Sequence, residues 1–337
     1  MHKPISVQKI TFPTPHQVAT VIEPQTFNLQ PDDVLIQTRY SLVSAGTELA
    51  KLTALQQVAY PFVPGNRAVG EVIAVGDAVT EFAVGDFVFS HTPHVSHALA
   101  TRLCVPIPAD VDPQASALVG LALVAMTALR VGQVELGDRV AVIGLGLVGN
   151  LAAQLLHLAG AEVIAIDLTP GRLTKAQACG IDQVIHAHET DPIAAVMALT
   201  QGKGVDVVVE ASGTAQAAEL AVALTGKQGE GIVVLLGSPR KEHETNLTSF
   251  LNHVHLWRNG SVTLRGAHEW RYPLAQTPFQ KHSMQRNAAI IFRLMAQGKL
   301  QTAPLITHVF QPEDAAAAFA GLQTKPDAYM GVLFDWG

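Results

Sequence analysis

The rhythm of hydrophobic and polar positions changes along this chain. Up to about residue 115 the apolar runs are short and broken by Gly, Pro and Asp. Val34-Leu35-Ile36, Val72-Ile73-Ala74-Val75 and Phe87-Val88-Phe89 are examples, with turn signals at Pro31-Asp32-Asp33 and Val84-Gly85-Asp86. This texture predicts short, largely antiparallel strands in a compact barrel. From Ala115 onward, continuous apolar runs alternate with helical stretches. The runs lie at Val140–Ile143, Val163–Ile166, Gln183–His186, Val205–Glu210, Gly231–Leu236 and Ser261–Leu264. Strands apolar on both faces belong to a covered sheet, so they predict a parallel, doubly wound α/β domain. Beyond about residue 275 the pattern predicts a helix around Ile290–Met295 and a strand at Thr307–Phe310. A second helix over Pro312–Leu322 and a last strand at Val332–Trp336 complete it. The expected division is 1–117, 118–274 and a segment 275–337 that returns to the first domain.

The densest signal is the stretch from Arg139 to Gly149. A short apolar strand runs into Gly144-Leu145-Gly146-Leu147-Val148-Gly149. A helix follows, with Val148, Leu151, Ala152, Leu155 and Leu158 on one face. The next strand ends in Asp167. Strand, G-x-G-x-x-G, helix, strand and acid, in that order, form the dinucleotide-binding fingerprint. Gly144 allows the tight turn, Gly146 lets backbone approach a pyrophosphate, and Gly149 lets helix and strand pack closely. The helix N-terminus offers free N–H groups and partial positive charge to phosphates. Asp167 can accept from the adenosine ribose hydroxyls and would repel a 2′-phosphate, which favours NAD over NADP. Arg172 complicates this, since an arginine near the strand end can hold a 2′-phosphate; it is more easily read as covering the adenine face, or as a solvated helix-start residue. Leu147, Val148, Ser212 and Gly237 complete the expected cofactor-binding set.

Composition narrows the class. The 337 residues are 48% hydrophobic and 15% charged, as in well-buried globular proteins of more than one domain. A net charge of −6 without a basic cluster argues against nucleic acid. Two cysteines, Cys104 and Cys179, exclude both a disulfide framework and a four-cysteine zinc site. The longest apolar stretch, Ala115–Leu129, is too short and too rich in Ala and Gly to span a bilayer. Met1-His2-Lys3-Pro4 shows no apolar leader. The expectation is a cytoplasmic protein with a small-molecule substrate and no nucleic-acid or membrane partner.

Further motifs carry a resemblance. Pro64-Gly65-Asn66-Arg67-Ala68-Val69-Gly70 stands where medium-chain dehydrogenases/reductases have P-G-H-E-x-x-G. Val84-Gly85-Asp86-Phe87-Val88 is similar to their V-G-D-x-V turn, and Pro312–Ala316 to their last helix. The chain resembles that superfamily of alcohol dehydrogenases and quinone reductases nearly end to end. The resemblance implies a GroES-like, β-rich catalytic domain joined to a Rossmann domain, and a homodimer or homotetramer.

It also implies what is missing. Zinc members hold their metal with Cys, His and a third Cys or Glu. Here Ala45 stands for the first cysteine, Asn66 for the histidine and Arg67 for the glutamate after it. Val119 stands near the third ligand position, so no metal site is carried over. His91, His94 and His97 could form a substitute cluster, but Pro93 favours a loop of surface histidines. Without zinc, a developing alkoxide needs another source of charge or hydrogen bonds. Arg67 is one candidate; alternatively it pairs with Glu48. Thr47 matches the family's proton-relay hydroxyl, with a local turn bond as its alternative. His268, in His268-Glu269-Trp270-Arg271 after the last Rossmann strand, is a candidate acid/base or a packing residue. The Ser44–Glu48 motif resembles a zinc-free subgroup related to bacteriochlorophyllide a 3-hydroxyethyl dehydrogenase and to sugar- and cyclitol-linked dehydrogenases.

The expected function is therefore NAD(H)-linked hydride transfer with a secondary alcohol or ketone, such as a polyol, sugar or cyclitol, without zinc. An NADPH-dependent quinone or enone reductase is the alternative enzyme. A non-catalytic dinucleotide sensor or crystallin-like protein is the alternative from another class.

Overall fold

The computed structural model describes residues 3–100, 102–226 and 229–337. Seven strands come first: β1 (Ile5–Thr11), β2 (Ala19–Gln25), β3 (Val34–Leu42), β4 (Ala68–Val75), β5 (Phe87–Ser90), β6 (His97–Leu99) and β7 (Cys104–Pro106). Six more alternate with helices: β8 (Arg139–Ile143), β9 (Glu162–Asp167), β10 (Gln183–His186), β11 (Val207–Glu210), β12 (Ile232–Leu235) and β13 (Thr263–Gly266). The chain ends with β14 (Ile306–Phe310) and β15 (Gly331–Asp335).

The chain forms two compact units. The first takes in residues up to Gly120, Tyr272–Gly298 and Leu305–Gly337; the second takes in Leu121–Arg271 and Lys299–Pro304. Lys299–Pro304 lies within the returning segment of the chain but packs with the second unit. The cause is a buried glutamine: Gln154 Nε2 donates to Gln301 O at 3.0 Å, and Gln154 Oε1 accepts from Gln301 N–H at 2.7 Å.

The first unit is built on a sheet ordered β14-β15-β3-β4-β5-β7, with β6 also paired to β3. Its pairings are antiparallel except β14 with β15. The tail enters this sheet through β15, which pairs with β3. A core of Phe12, Phe319 and Phe334 with Ile10, Leu52 and Val332 packs the final helix, Ala315–Thr324, against it.

The second unit is a six-stranded, fully parallel sheet ordered β10-β9-β8-β11-β12-β13. Both faces are apolar, as the continuous runs require. Val140 and Val142 face one core, and Ala141 and Ile143 the other. Strand order reverses between β8 and β11, the switch point at which doubly wound sheets bind ligands. This is an α/β fold with a β-rich GroES-like unit and a Rossmann-type parallel sheet. Among the described residues, no helix is long and apolar enough to cross a membrane.

Candidate active site

The glycine-rich turn leaves β8 at the switch point. Gly144 adopts φ +88°, and a Cβ there would lie 2.8 Å from Ser212 N. A Cβ on Gly149 would stand 1.8 Å from Gly144 O, so only glycine lets the helix Leu147–Leu158 start so close to the strand. Gly146 is the N-cap, and a Cβ there would meet nothing within 4 Å. The backbone is therefore open beside the free N–H groups of Leu147, Val148 and Gly149, which suits an anionic diphosphate.

Two acids at strand ends hold the loops around this turn. Asp167, buried at the end of β9, accepts from Leu145 N–H at 2.6 Å through Oδ2 and from Thr169 N–H at 2.8 Å through Oδ1. Arg172 Nη1 lies 3.6 Å from Asp167 Oδ2, so this arginine interacts with the acid. Glu210, buried at the end of β11, does the same for the next loop. Its Oε1 accepts from Ser212 N–H at 2.7 Å and Gly213 N–H at 2.9 Å, and from the Ser212 hydroxyl. A Cβ on Gly237 would stand 2.2 Å from Gly213 N, so this loop packs directly on the one after β12. Gly144, Gly146, Leu147, Val148, Gly149, Asp167, Arg172, Ser212 and Gly237 thus share the carboxyl edge of one sheet.

In the first unit, Ala45-Gly46-Thr47-Glu48 opens the helix Ala45–Leu52. Thr47 is half-buried, and Glu48 is only 2% exposed. Glu48 Oε1 accepts from Ser44 N–H at 2.7 Å, while Oε2 meets His94 Nε2 at 2.9 Å. His94 Nδ1 meets Ser41 Oγ at 2.8 Å, and Trp336 Nε1–H donates to that same oxygen at 2.9 Å. Arg67 is 3% exposed and brings Nη1 to 3.3 Å from His91 Nε2. A guanidinium only donates, so Nε2 accepts and His91 carries its proton on Nδ1. Gly120 makes room for Arg67: a Cβ there would lie 2.3 Å from Arg67 Cδ and 2.7 Å from Phe89 Cζ.

The expectation of surface histidines is corrected here. His91 and His94 are buried, and His97 is half-buried in β6, where burial lowers its pKa and Ser96 Oγ lies 3.0 Å from Nδ1. Pro93 does interrupt the strand, but the turn folds inward because Arg67, Glu48 and Ser41 supply polar partners for its rings. His268 belongs to the second unit. It is exposed between β13 and the short 3₁₀ turn Glu269–Arg271, with Trp270 N 3.5 Å from its Nδ1.

Comparison with known proteins agrees with this architecture. Residues 30–155 match the alcohol dehydrogenase GroES-like domain, and residues 148–276 match the zinc-binding dehydrogenase domain. A sorbitol dehydrogenase from Halalkalibacterium halodurans is 30% identical over 231 residues, covering 58% of this chain and 67% of that protein. The chain belongs to the zinc-type alcohol dehydrogenase-like, medium-chain superfamily. A D-guloside 3-dehydrogenase from Escherichia coli is 28% identical over 242 residues, covering 62% and 68% of the two chains. The solved galactitol-1-phosphate dehydrogenase of Escherichia coli shares the fold. Its TM-score is 0.85 at 20% identity, over 98% of this chain and 100% of that one.

This superfamily implies zinc, and the donor set does not fit it. A catalytic zinc takes three protein ligands, with N or S donors prominent. Ala45 and Val119 have no donor atom, and Asn66 offers only a neutral amide. Arg67 brings a fixed cation next to that segment. His94 has a partner on each nitrogen. Among the described residues, no three His, Cys, Asp or Glu side chains gather so as to hold a metal ion. Burial holds both thiols protonated, pushing Cys104 up to about 12 and Cys179 up to about 11.

Sequence reasoning missed Glu210 and Gly120, and it named His94 only as a candidate metal ligand or a surface histidine. Glu210 carried a usable signal, an acid ending an apolar strand just as Asp167 does. His94 and Gly120 carried none, because their partners are distant along the chain.

Proposed function

We propose that this medium-chain oxidoreductase is an NAD(H)-dependent, zinc-free dehydrogenase acting on a secondary alcohol or ketone of polyol or sugar type. The observation that carries the cofactor reading is the glycine turn at the switch point, with Asp167 closing it from β9. NAD, when bound, supplies the hydride acceptor. Gly144, Gly146, Leu147, Val148 and Gly149 would hold its diphosphate, and Asp167 would favour a free ribose hydroxyl over a phosphate. Ser212 and Gly237 would line the same edge. The substrate class rests on the relatives, which include sorbitol and D-guloside 3-dehydrogenases. A place in the zinc-free subgroup rests on Ser44-Ala45-Gly46-Thr47-Glu48 alone.

On this reading the chain's own residues handle the proton and the developing charge. The Thr47 hydroxyl, half-buried on its turn, can accept the alcohol proton while donating its own, as a relay requires. Arg67 is a permanent cation held in a poorly solvated site, where its charge acts strongly on a nearby alkoxide. The exposed His268 is the second candidate acid/base.

The test is a turnover screen of polyols, sugars, secondary alcohols and quinones with NAD(H) and NADP(H), on protein of known zinc content. Oxidation of a polyol or sugar with NAD by zinc-poor protein is expected. Activity confined to NADPH and quinones, or dependent on added zinc, overturns the reading.

A further inference from the structure

The Ser41–His94–Glu48 array has the residue order of an acyl-transfer triad, but it cannot work as one. Ser41 and His94 are fully buried, and Ser41 Oγ is capped by the Trp336 indole. Its chemistry is that of a brace. Trp336 Nε1–H can only donate, so Ser41 Oγ accepts from it and can give its own proton to His94 Nδ1. His94 then carries a proton on Nε2 and donates it to Glu48 Oε2. Glu48 spends its other oxygen on Ser44 N–H, the first amide of the turn that carries Thr47. The same histidine holds a second segment. Its N–H donates to Pro64 O at 2.8 Å, and its ring packs so tightly on Gly65 that a Cβ there would lie 2.7 Å from Cγ. Gly65 adopts φ +95°, which favours glycine at this contact. One residue beyond Gly65 is Asn66, and two beyond is Arg67.

We infer that His94 is a positioning residue that locks the Thr47 turn and the Asn66-Arg67 segment to each other. It acts through Glu48 on one side and through Gly65 on the other. This deepens the proposed function, since it rests on Thr47 and Arg67 acting on the substrate. A buried acid and imidazole with every polar atom engaged form a stiff connection, and one left half-satisfied is costly.

Two variants separate positioning from mere packing. In His94→Gln the side-chain amide reaches about as far as imidazole Nε2 and keeps a donor for Glu48. In His94→Asn the shorter amide keeps the Ser41 side and loses Glu48. The direct readout is hydrogen exchange at the Ser44 amide. Exchange should accelerate at least tenfold in His94→Asn and stay within about threefold of wild type in His94→Gln, the scale of one lost charged hydrogen bond. The second readout is kcat on the best alcohol from the screen. A misplacement of about 1 Å can cost about 10²-fold, so His94→Asn should lose about that in kcat with the KM for NAD unchanged. His94→Gln should retain most of it. If Ser44 stays protected in both variants, or both lose kcat equally in step with their melting temperatures, the inference is overturned. If wild type turns over no alcohol, the proposed function fails, and Ser44 exchange alone decides whether His94 holds the turn.

Discussion

The Asp167 carboxylate accepts from the Leu145 amide at 2.6 Å, so the acid ending β9 closes the glycine turn that follows β8. Its other oxygen takes Thr169 N–H, and Arg172 stands against it. A residue expected to read the ribose is therefore also part of the turn's framework. Any substitution there changes two things at once, and experiments must separate them.

Asp167→Asn should lower stability by about 1–3 kcal/mol, because an amide cannot replace both accepting oxygens. NAD and NADP affinities should both fall as the turn loosens. Asp167→Ser should in addition narrow the gap between them by about 1–3 kcal/mol. Binding titrations of both cofactors at one ionic strength, with thermal melts on the same samples, check this. Wild type should prefer NAD; equal or tighter NADP binding would mean that Arg172 outweighs the carboxylate.

Gly120→Ala should displace Arg67, since the new Cβ would fall 2.3 Å from Arg67 Cδ. Overpacking of this kind costs about 1–3 kcal/mol. In an Arg67→Ala background the nearer obstacle is gone and only Phe89 Cζ, 2.7 Å from the new Cβ, remains, so the same substitution should cost less. A double-mutant cycle by denaturant melts measures the coupling. Additive effects would show that Gly120 does not serve Arg67.

Protein purified without added metal should contain far less than one zinc per chain by elemental analysis. Chelation should leave activity unchanged. Near-stoichiometric zinc lost together with activity would point instead to the histidines around Pro93.

Both thiols should be nearly inert in the folded protein. With values of about 12 and 11, Cys104 and Cys179 hold on the order of 10⁻⁴ and 10⁻³ thiolate at pH 8. Carboxymethylation at pH 8, followed by mass spectrometry, should therefore run at least 100-fold slower than for a free thiol, roughly. Reactivity should climb as pH rises toward 11 and return fully on unfolding.

Thr47→Val and His268→Gln test the proton path. Removing the true acid/base group should cost about 10²–10⁴-fold in kcat with cofactor binding unchanged. Arg67→Met asks the same of the buried cation, and its melting temperature must be recorded, because disturbing a buried polar cluster also destabilises the fold. Near-normal turnover in all three would place the proton transfer on another group or on water.

The sequence by itself determined whatever depends on local backbone. The strand–turn–helix at Arg139–Leu158 was legible because Gly144 needs a positive φ and Gly149 allows close approach within one short stretch. The parallel sheet was legible because strands buried on both faces leave continuous apolar runs. The unsuitability of Ala45 and Val119 as metal ligands was legible because a side chain without a donor atom cannot be a ligand in any fold, and Asn66 offers only a neutral amide. Only the tertiary structure decided where the remaining polar groups point. Glu48 and His94 meet across 46 positions, and Arg67 and His91 across 24. Nothing in either local pattern names the other. The inward fold of His91 and His94 could not be read for the same reason. A polar residue in a turn goes to solvent unless distant segments bring partners for it, and here β3, the Thr47 turn and the Arg67 segment bring them.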